Sequence, residues 1–275
     1  MSRDDLLKAV GGYEVLIMRS RTKVDRELLD RSPRLRLVAR PGTGLDNIDV
    51  EYAKSKRVQV VNSPESLVEA VAEHVTLLML ALSRKLVAAA EATKAGKWEK
   101  ESLLGVELDG RVLGIVGLGR IGRRIGEIAR TLGMKILVYD VIPIAPEVIA
   151  SLSCGVVGLD ELFHSADYIT LHVPMTDQTR HMVDAGRLAS MKKSAFLINT
   201  SRGGVVDEHA LAEALTNGRI AGAALDVFEQ EPPMGEILSA PGLILTPHIG
   251  GQTAEAQANA ITVVGEKVRT FFSRG

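Results

Sequence analysis

One cysteine, Cys154, stands in 275 residues, so no disulfide can close within the chain. A reducing compartment such as the cytoplasm fits that usage, and Cys154 reads as a small core residue beside a strand. Charge of one sign is also missing: the formal net charge is -1 and no long basic run occurs, which argues against a nucleic-acid partner. No apolar run reaches the roughly 18–20 residues that span a bilayer, and the longest, VTLLMLALS, is about half that. No membrane association is therefore expected. The N-terminus, MSRDDLLKAVGG, lacks the apolar core of a secretory leader. Tandem repeats and low-complexity segments are absent, and no residues are assigned to a metal.

What is present is alternation. The chain is 46% hydrophobic and 24% charged, ordinary for a soluble globular protein. YEVLIM (13–18), LRLVAR (35–40) and VQVVN (58–62) read as buried strands. A long helical pattern covers about 66–93, followed by the less regular KAGKWEKESLLGVEL. From Arg111 on, RVLGIVG, KILVYD, CGVVG, YITLHV, AFLINT and AGAALDV are short strands of the doubly buried, parallel kind. Helical stretches at 120–132, 158–165, 184–191 and 207–217 separate most of them, and a long amphipathic helix ends the chain. Such alternation predicts an α/β fold, a Rossmann-type doubly wound sheet beside a smaller α/β unit.

VLGIVGLGRIGRRIGEIA holds Gly117, Gly119 and Gly122 in the pattern G-x-G-x-x-G. The bare pattern is weak, but here it follows an apolar strand and opens an amphipathic helix, which is the context a dinucleotide requires. Gly117 permits the tight turn, Gly119 lets backbone N–H groups approach a pyrophosphate, and Gly122 lets helix and strand pack closely. The phosphates would rest at the positive helix terminus. Asp140, ending the next strand, lies about where a ribose-binding acid is expected. A carboxylate there would repel the extra phosphate of NADP, so NAD is the expected cofactor.

Three further segments end strands of the same sheet. LINTSRGGVVDE places Arg202 after a strand, AALDVFEQEPP places Asp226 at a strand end and Glu231 before Pro232, and LILTPHIGG places His248 after the last strand. Ligands of open α/β sheets bind outside the carboxyl ends of the strands. Taken singly, these are a surface arginine, a loop glutamate and a solvated histidine. Together they suit reduction of a 2-oxo acid. His248 would move the proton, Glu231 would orient the imidazole and stabilise its cation, and Arg202 would grip the substrate carboxylate in a forked contact.

The motifs RPGTGLDNID, GLGRIGRRIG, NTSRGGVVDE, ALDVFEQEPP and PHIGG stand in the order found in the D-2-hydroxyacid dehydrogenase family, which the chain resembles over nearly its whole length. It is most similar to the phosphoglycerate-oxidising branch. The resemblance implies a catalytic set of Arg202, Glu231 and His248. It implies NAD contacts from Arg120 and Ile121 at the pyrophosphate, Asp140 at the ribose, Val173 and Pro174 on the adenine side, and further contacts from His172 and Thr179. Thr200, Ser201 and Asp226 would line the nicotinamide side, and Thr43, Gly250 and Gly251 would also approach the cofactor. Arg19, Ser20, Arg40 and Gly42, with Arg202, are the implied substrate contacts, Arg19 and Arg40 at a distal phosphate. A substrate domain of residues 1–66 and 252–275 and an NAD-binding domain of 67–251 follow, the latter including a dimerisation arm around Trp98. A homodimer acting on a small 2-hydroxy or 2-oxo acid is implied.

Two departures qualify this. The family's first strand and helix have no counterpart before VLIMRS, which predicts a gap between neighbouring strands of the small sheet and a weakened small domain. Ser66, Leu67 and Val68 replace the Gly-Asn-Ser/Thr turn that touches the substrate carboxylate in the phosphoglycerate branch. Oxidation of 3-phosphoglycerate is thus the leading expectation. Glyoxylate or hydroxypyruvate reduction is the alternative, and a non-catalytic, corepressor-like NAD-binding protein is a third.

Overall fold

The structure, a computed structural model, describes residues 1–273. The chain divides into two compact units, residues 1–70 with the segment from 251 onward, and residues 71–250.

The first unit begins with α1 (Arg3–Ala9), β1 (Val15–Ile17), α2 (Arg26–Asp30), β2 (Leu37–Arg40), α3 (Val50–Ser55) and β3 (Gln59–Asn62). Each helix starts on a polar cap. The side chains of Ser2, Asp25 and Asp49 accept the backbone N–H of Asp5, Leu28 and Tyr52, filling donors that a helix start leaves empty. The strands pair in parallel in the order β1-β2-β3, with Val15 opposite Leu37 and Leu37 opposite Gln59. The expected gap is therefore not there. The three strands are direct neighbours with an unbroken ladder, and β1 is an edge strand. Val24, Leu28, Val38 and Ala53 are fully buried in this unit's core.

The second unit takes over within α4 (Val68–Ser83), which is followed by α5 (Leu86–Lys94). The helical pattern at 66–93 is thus not one helix. It breaks at Lys85, whose φ is 49°. The cause lies far along the chain: the Ser83 carbonyl accepts the N–H of Val106 at 2.9 Å, and a side chain on Gly105 would meet that same carbonyl at 2.5 Å. Residues 64–83 are also long and apolar enough to cross a membrane, contrary to the expectation from run length. Half of that stretch is buried inside the protein, as in a core helix.

Next come β4 (Val112–Val116), α6 (Arg120–Thr131), β5 (Lys135–Tyr139), α7 (Pro146–Leu152), β6 (Gly155–Val156), α8 (Leu159–Ser165), β7 (Tyr168–Leu171), α9 (Ala185–Ser190), β8 (Phe196–Asn199), α10 (Glu208–Thr216), β9 (Gly222–Leu225) and β10 (Leu243–Leu245). All seven strands are parallel, in the order β10-β9-β8-β7-β4-β5-β6. β7 and β9 are buried at every position, as strands covered on both faces must be. The order reverses at β4, with β5 on one side and β7 on the other, so the carboxyl ends of β4 and β7 flank the switch point where a ligand crevice forms. Cys154 is buried, and burial pushes its thiol up, so it is poorly suited to be a nucleophile.

The chain returns to the first unit through α11 (Ala254–Ser273). Ala256, Ala260 and Val264, four residues apart, form its buried stripe. Lys267 fastens the helix by donating to the Asn62 carbonyl and pairing with Glu65.

Candidate active site

The glycine loop occupies the turn from β4 to α6. Gly117 has φ +93°, and a Cβ there would lie 2.6 Å from the His172 carbonyl. A Cβ on Gly122 would lie 2.3 Å from the Gly117 carbonyl. Only glycine fits either position. Gly119, in contrast, has nothing within 4 Å of such an atom. It is the N-cap of α6 and no side chain caps the helix start, which leaves the first-turn N–H groups without a capping acceptor, as at an anion site. Arg120 and Ile121 are the first residues of that helix.

Asp140, at the end of β5, accepts the N–H of Leu118 at 2.7 Å and of Ile142 at 2.9 Å. It braces the glycine loop from the side, with further carboxylate lone pairs left for a ribose hydroxyl. After β7 come His172, Val173 and Pro174. The His172 imidazole bonds Thr170 at 2.8 Å, and burial pushes its pKa down to about 3, so it stays neutral. Thr179 folds back on this turn, donating to the Pro174 carbonyl at 2.6 Å.

The turn after β8 is organised by a residue that the sequence alone did not single out. Asn199 is fully buried. Its carbonyl oxygen accepts the Ser201 N–H and hydroxyl, and its amide donates to the Arg202 carbonyl at 2.8 Å. The Arg202 guanidinium donates to the Ser201 carbonyl at 2.6 Å. Thr200 keeps its buried hydroxyl without a partner among the described residues, an orphan that a bound polar group would satisfy. A Cβ on Gly203 would fall 1.8 Å from the carbonyl carbon of Phe228, so this turn lies directly against the loop that carries Glu231.

Arg202, Asp226 and His248 follow β8, β9 and β10, three neighbouring strands. Of the expected catalytic set, the fold brings two side chains into contact. His248 Nδ1 lies 2.9 and 3.0 Å from the two carboxylate oxygens of Glu231. Both side chains are about half exposed. Arg202 follows β8, two strands away from β10, which leads to His248.

Asp226 is 1% exposed and serves the histidine loop itself. It accepts the Thr246 hydroxyl at 2.6 Å and the N–H groups of Ile249 and Gly250 at 2.9 and 2.8 Å. Burial alone would raise its pKa. Hydrogen bonds from His74, Thr246 and the two N–H groups outweigh it and hold the carboxyl below its ordinary value.

In the first unit, Arg19 donates to Gln257 and Arg40 to Asn47, at 2.5 and 2.6 Å. The Asn47 amide in turn donates to the carbonyls of Ser20 and Thr22. Gly42 and the fully buried Ser63 exchange hydrogen bonds, Ser63 N–H to the Gly42 carbonyl and Gly42 N–H to the Ser63 hydroxyl. Thr43 has a buried hydroxyl without a partner among the described residues. Ser66 and Leu67 lie in a 3-10 turn, Pro64–Leu67, that leads into α4, and Gly251 packs against Leu67.

Residues 76–250 match the model of the D-isomer specific 2-hydroxyacid dehydrogenase, NAD binding domain. The chain belongs to this dehydrogenase family. The resemblance, the Rossmann-type fold and NAD as cofactor, each expected from the sequence, hold. The uncapped α6 start, the open space at Gly119 and the orphan hydroxyl of Thr200 fit that cofactor. Among relatives, a hydroxypyruvate reductase of Thermotoga maritima is 43% identical over 272 residues, 98% of this chain and 88% of that protein. A D-3-phosphoglycerate dehydrogenase of Methanocaldococcus jannaschii is 44% identical over 273 residues, 98% of this chain but 52% of that protein. The chain thus spans about half the length of that relative. The crystal structure of a D-lactate dehydrogenase from Aquifex aeolicus complexed with NAD and lactic acid superposes with a TM-score of 0.89 at 33% identity, covering 97% of this chain and 85% of that one.

Proposed function

We propose that the chain interconverts a 2-hydroxy acid and its 2-oxo acid, with His248 as general acid and base. The contact between His248 Nδ1 and Glu231 carries this reading. A carboxylate only accepts, so the proton of that bond sits on Nδ1 and Nε2 is left for substrate. NADH, when bound, supplies the hydride that the carbonyl carbon receives. In that direction His248 gives its Nε2 proton to the carbonyl oxygen, while Glu231 has stabilised the imidazolium. In the oxidative direction neutral Nε2 takes the hydroxyl proton. Arg202 holds the substrate carboxylate, the guanidinium fork matching its two oxygens.

Within this reading, Arg19 and Arg40 support a phosphorylated acid, 3-phosphoglycerate and its 2-oxo partner. Hydroxypyruvate or glyoxylate is the second reading. It is favoured by the replacement of the carboxylate-binding turn with Ser66, Leu67 and Val68, and by the near full-length match to a hydroxypyruvate reductase. The full chain should be assayed with NADH against phosphohydroxypyruvate, hydroxypyruvate and glyoxylate. Turnover fastest with the phosphorylated acid supports the first reading, and turnover restricted to the other two supports the second. No turnover with any of them, with NADH still bound, overturns the enzyme reading in favour of a cofactor-binding protein.

We also infer a homodimer in the cytoplasm. Leu77, Leu80, Leu86, Val87, Trp98 and Leu104 are all exposed in the second unit, and large apolar side chains left in water are what a partner surface covers. Light scattering at micromolar concentration should report twice the chain mass. A monomer would remove the inference.

A further inference from the structure

We propose that His74 is a positioning residue for this reaction, holding through Thr246 and Asp226 the loop on which His248 stands. The proposal rests on the catalytic role given to His248 above. His248 has φ 56°, a left-handed conformation that a non-glycine residue keeps only when its surroundings enforce it. The enforcement is visible. The two N–H groups directly after His248, on Ile249 and Gly250, are each taken by one oxygen of Asp226, and the Thr246 hydroxyl donates to the same carboxylate. Asp226 thereby grips the loop on both sides of His248.

His74, on α4, completes this grip. Its Nε2 lies 3.2 Å from the Thr246 hydroxyl and 3.5 Å from Asp226 Oδ1. The Thr246 hydrogen is spent on Asp226, so its oxygen accepts from His74, and Nε2 carries a proton. A second contact is independent of that bond. A Cβ on Gly250 would lie 3.7 Å from the His74 ring, so the imidazole also backs the far end of the loop. The side chain is 11% exposed, and its neighbours on the buried face of α4, Val71, Val75 and Leu78, are apolar. An aliphatic residue would fill that space, and the imidazole fills it while also supplying the donor.

The test compares His74→Leu, which keeps bulk and removes the donor, with His74→Gln, which restores an N–H at similar reach. In His74→Leu, kcat should fall on the order of 10-fold, the effect of losing one hydrogen bond beside a charged acceptor, with KM and NADH affinity within about 2-fold. The amides of Ile249 and Gly250 should lose hydrogen-exchange protection in the same variant. His74→Gln should recover both. Thr246→Val against Thr246→Ser repeats the comparison from the other end of the chain of bonds, should His74→Leu fail to fold. Unchanged kcat and protection in His74→Leu would overturn the proposal, and so would a His74→Gln as impaired as His74→Leu. If even the unaltered chain reduces no 2-oxo acid, the catalytic reading fails by itself. The exchange data then still decide whether His74 holds the loop.

Discussion

Around β4 and β5 the sheet edge is made of backbone. Gly117 and Gly122 are fixed by collisions that any side chain would make, and the start of α6 offers bare N–H groups. Around β8, β9 and β10 the edge is made of side chains. Asn199 shapes one turn, Asp226 grips another, and Glu231 reaches across to His248. A backbone site is encoded within some twenty consecutive residues. The side-chain site draws on residues from position 74 to position 250, and its parts support one another.

That contrast can be broken or sharpened by substitution. The largest effect is expected at Gly203, where the two turns of the catalytic half touch. Gly203→Val would drive a side chain into the backbone of Phe228 and Glu229. It should cost about 3 kcal/mol or more by overpacking, read from denaturant midpoints, and abolish turnover. A well-folded, active variant would mean that the two turns are not interlocked.

Glu231→Gln comes next. It keeps the shape beside His248 but removes the negative charge, and kcat should fall about 10-fold or more with NADH affinity unchanged. Gly119→Ala should behave in the opposite way. Nothing stands within 4 Å of the added atom, so folding stability should stay within about 0.5 kcal/mol. NADH affinity, measured by fluorescence titration, should fall about 10-fold, because the phosphates lose close approach to the backbone.

The smallest effect is a pH dependence at the far end of the sheet. Burial raises the Asp167 carboxyl, but the bonds from Lys192 and the Val112 N–H outweigh it, so its folded pKa lies below the ordinary value of 3.8. The stabilisation is therefore complete above the unfolded pKa and is lost as pH falls through the lower, folded value. Thermal melts below about pH 4 should show the unaltered chain losing stability more steeply than Asp167→Asn.

The same contrast explains what could be read in advance. The alternation of strands and helices, the glycine loop and Asp140 are local patterns, and the parallel sheet and cofactor follow from them. The break at Lys85 was hidden because its cause is the N–H of Val106, more than twenty residues away. The unbroken small sheet was missed because strand order is a property of pairing, not of any one strand. His74 looks like one more residue on a core helix, and Thr246 like a loop threonine beside Pro247. Asn199 ends a strand with no periodic signal. Each acquires its part only through partners that the fold supplies.

The central claim is that the loop held by Asp226 presents His248 as the proton donor and acceptor. His248→Asn tests it most directly, with NADH titration and turnover measured on the same preparation. The account predicts NADH affinity within about 2-fold of the unaltered chain and turnover lower by on the order of 10²-fold or more. Turnover equal to that of the unaltered chain would contradict it.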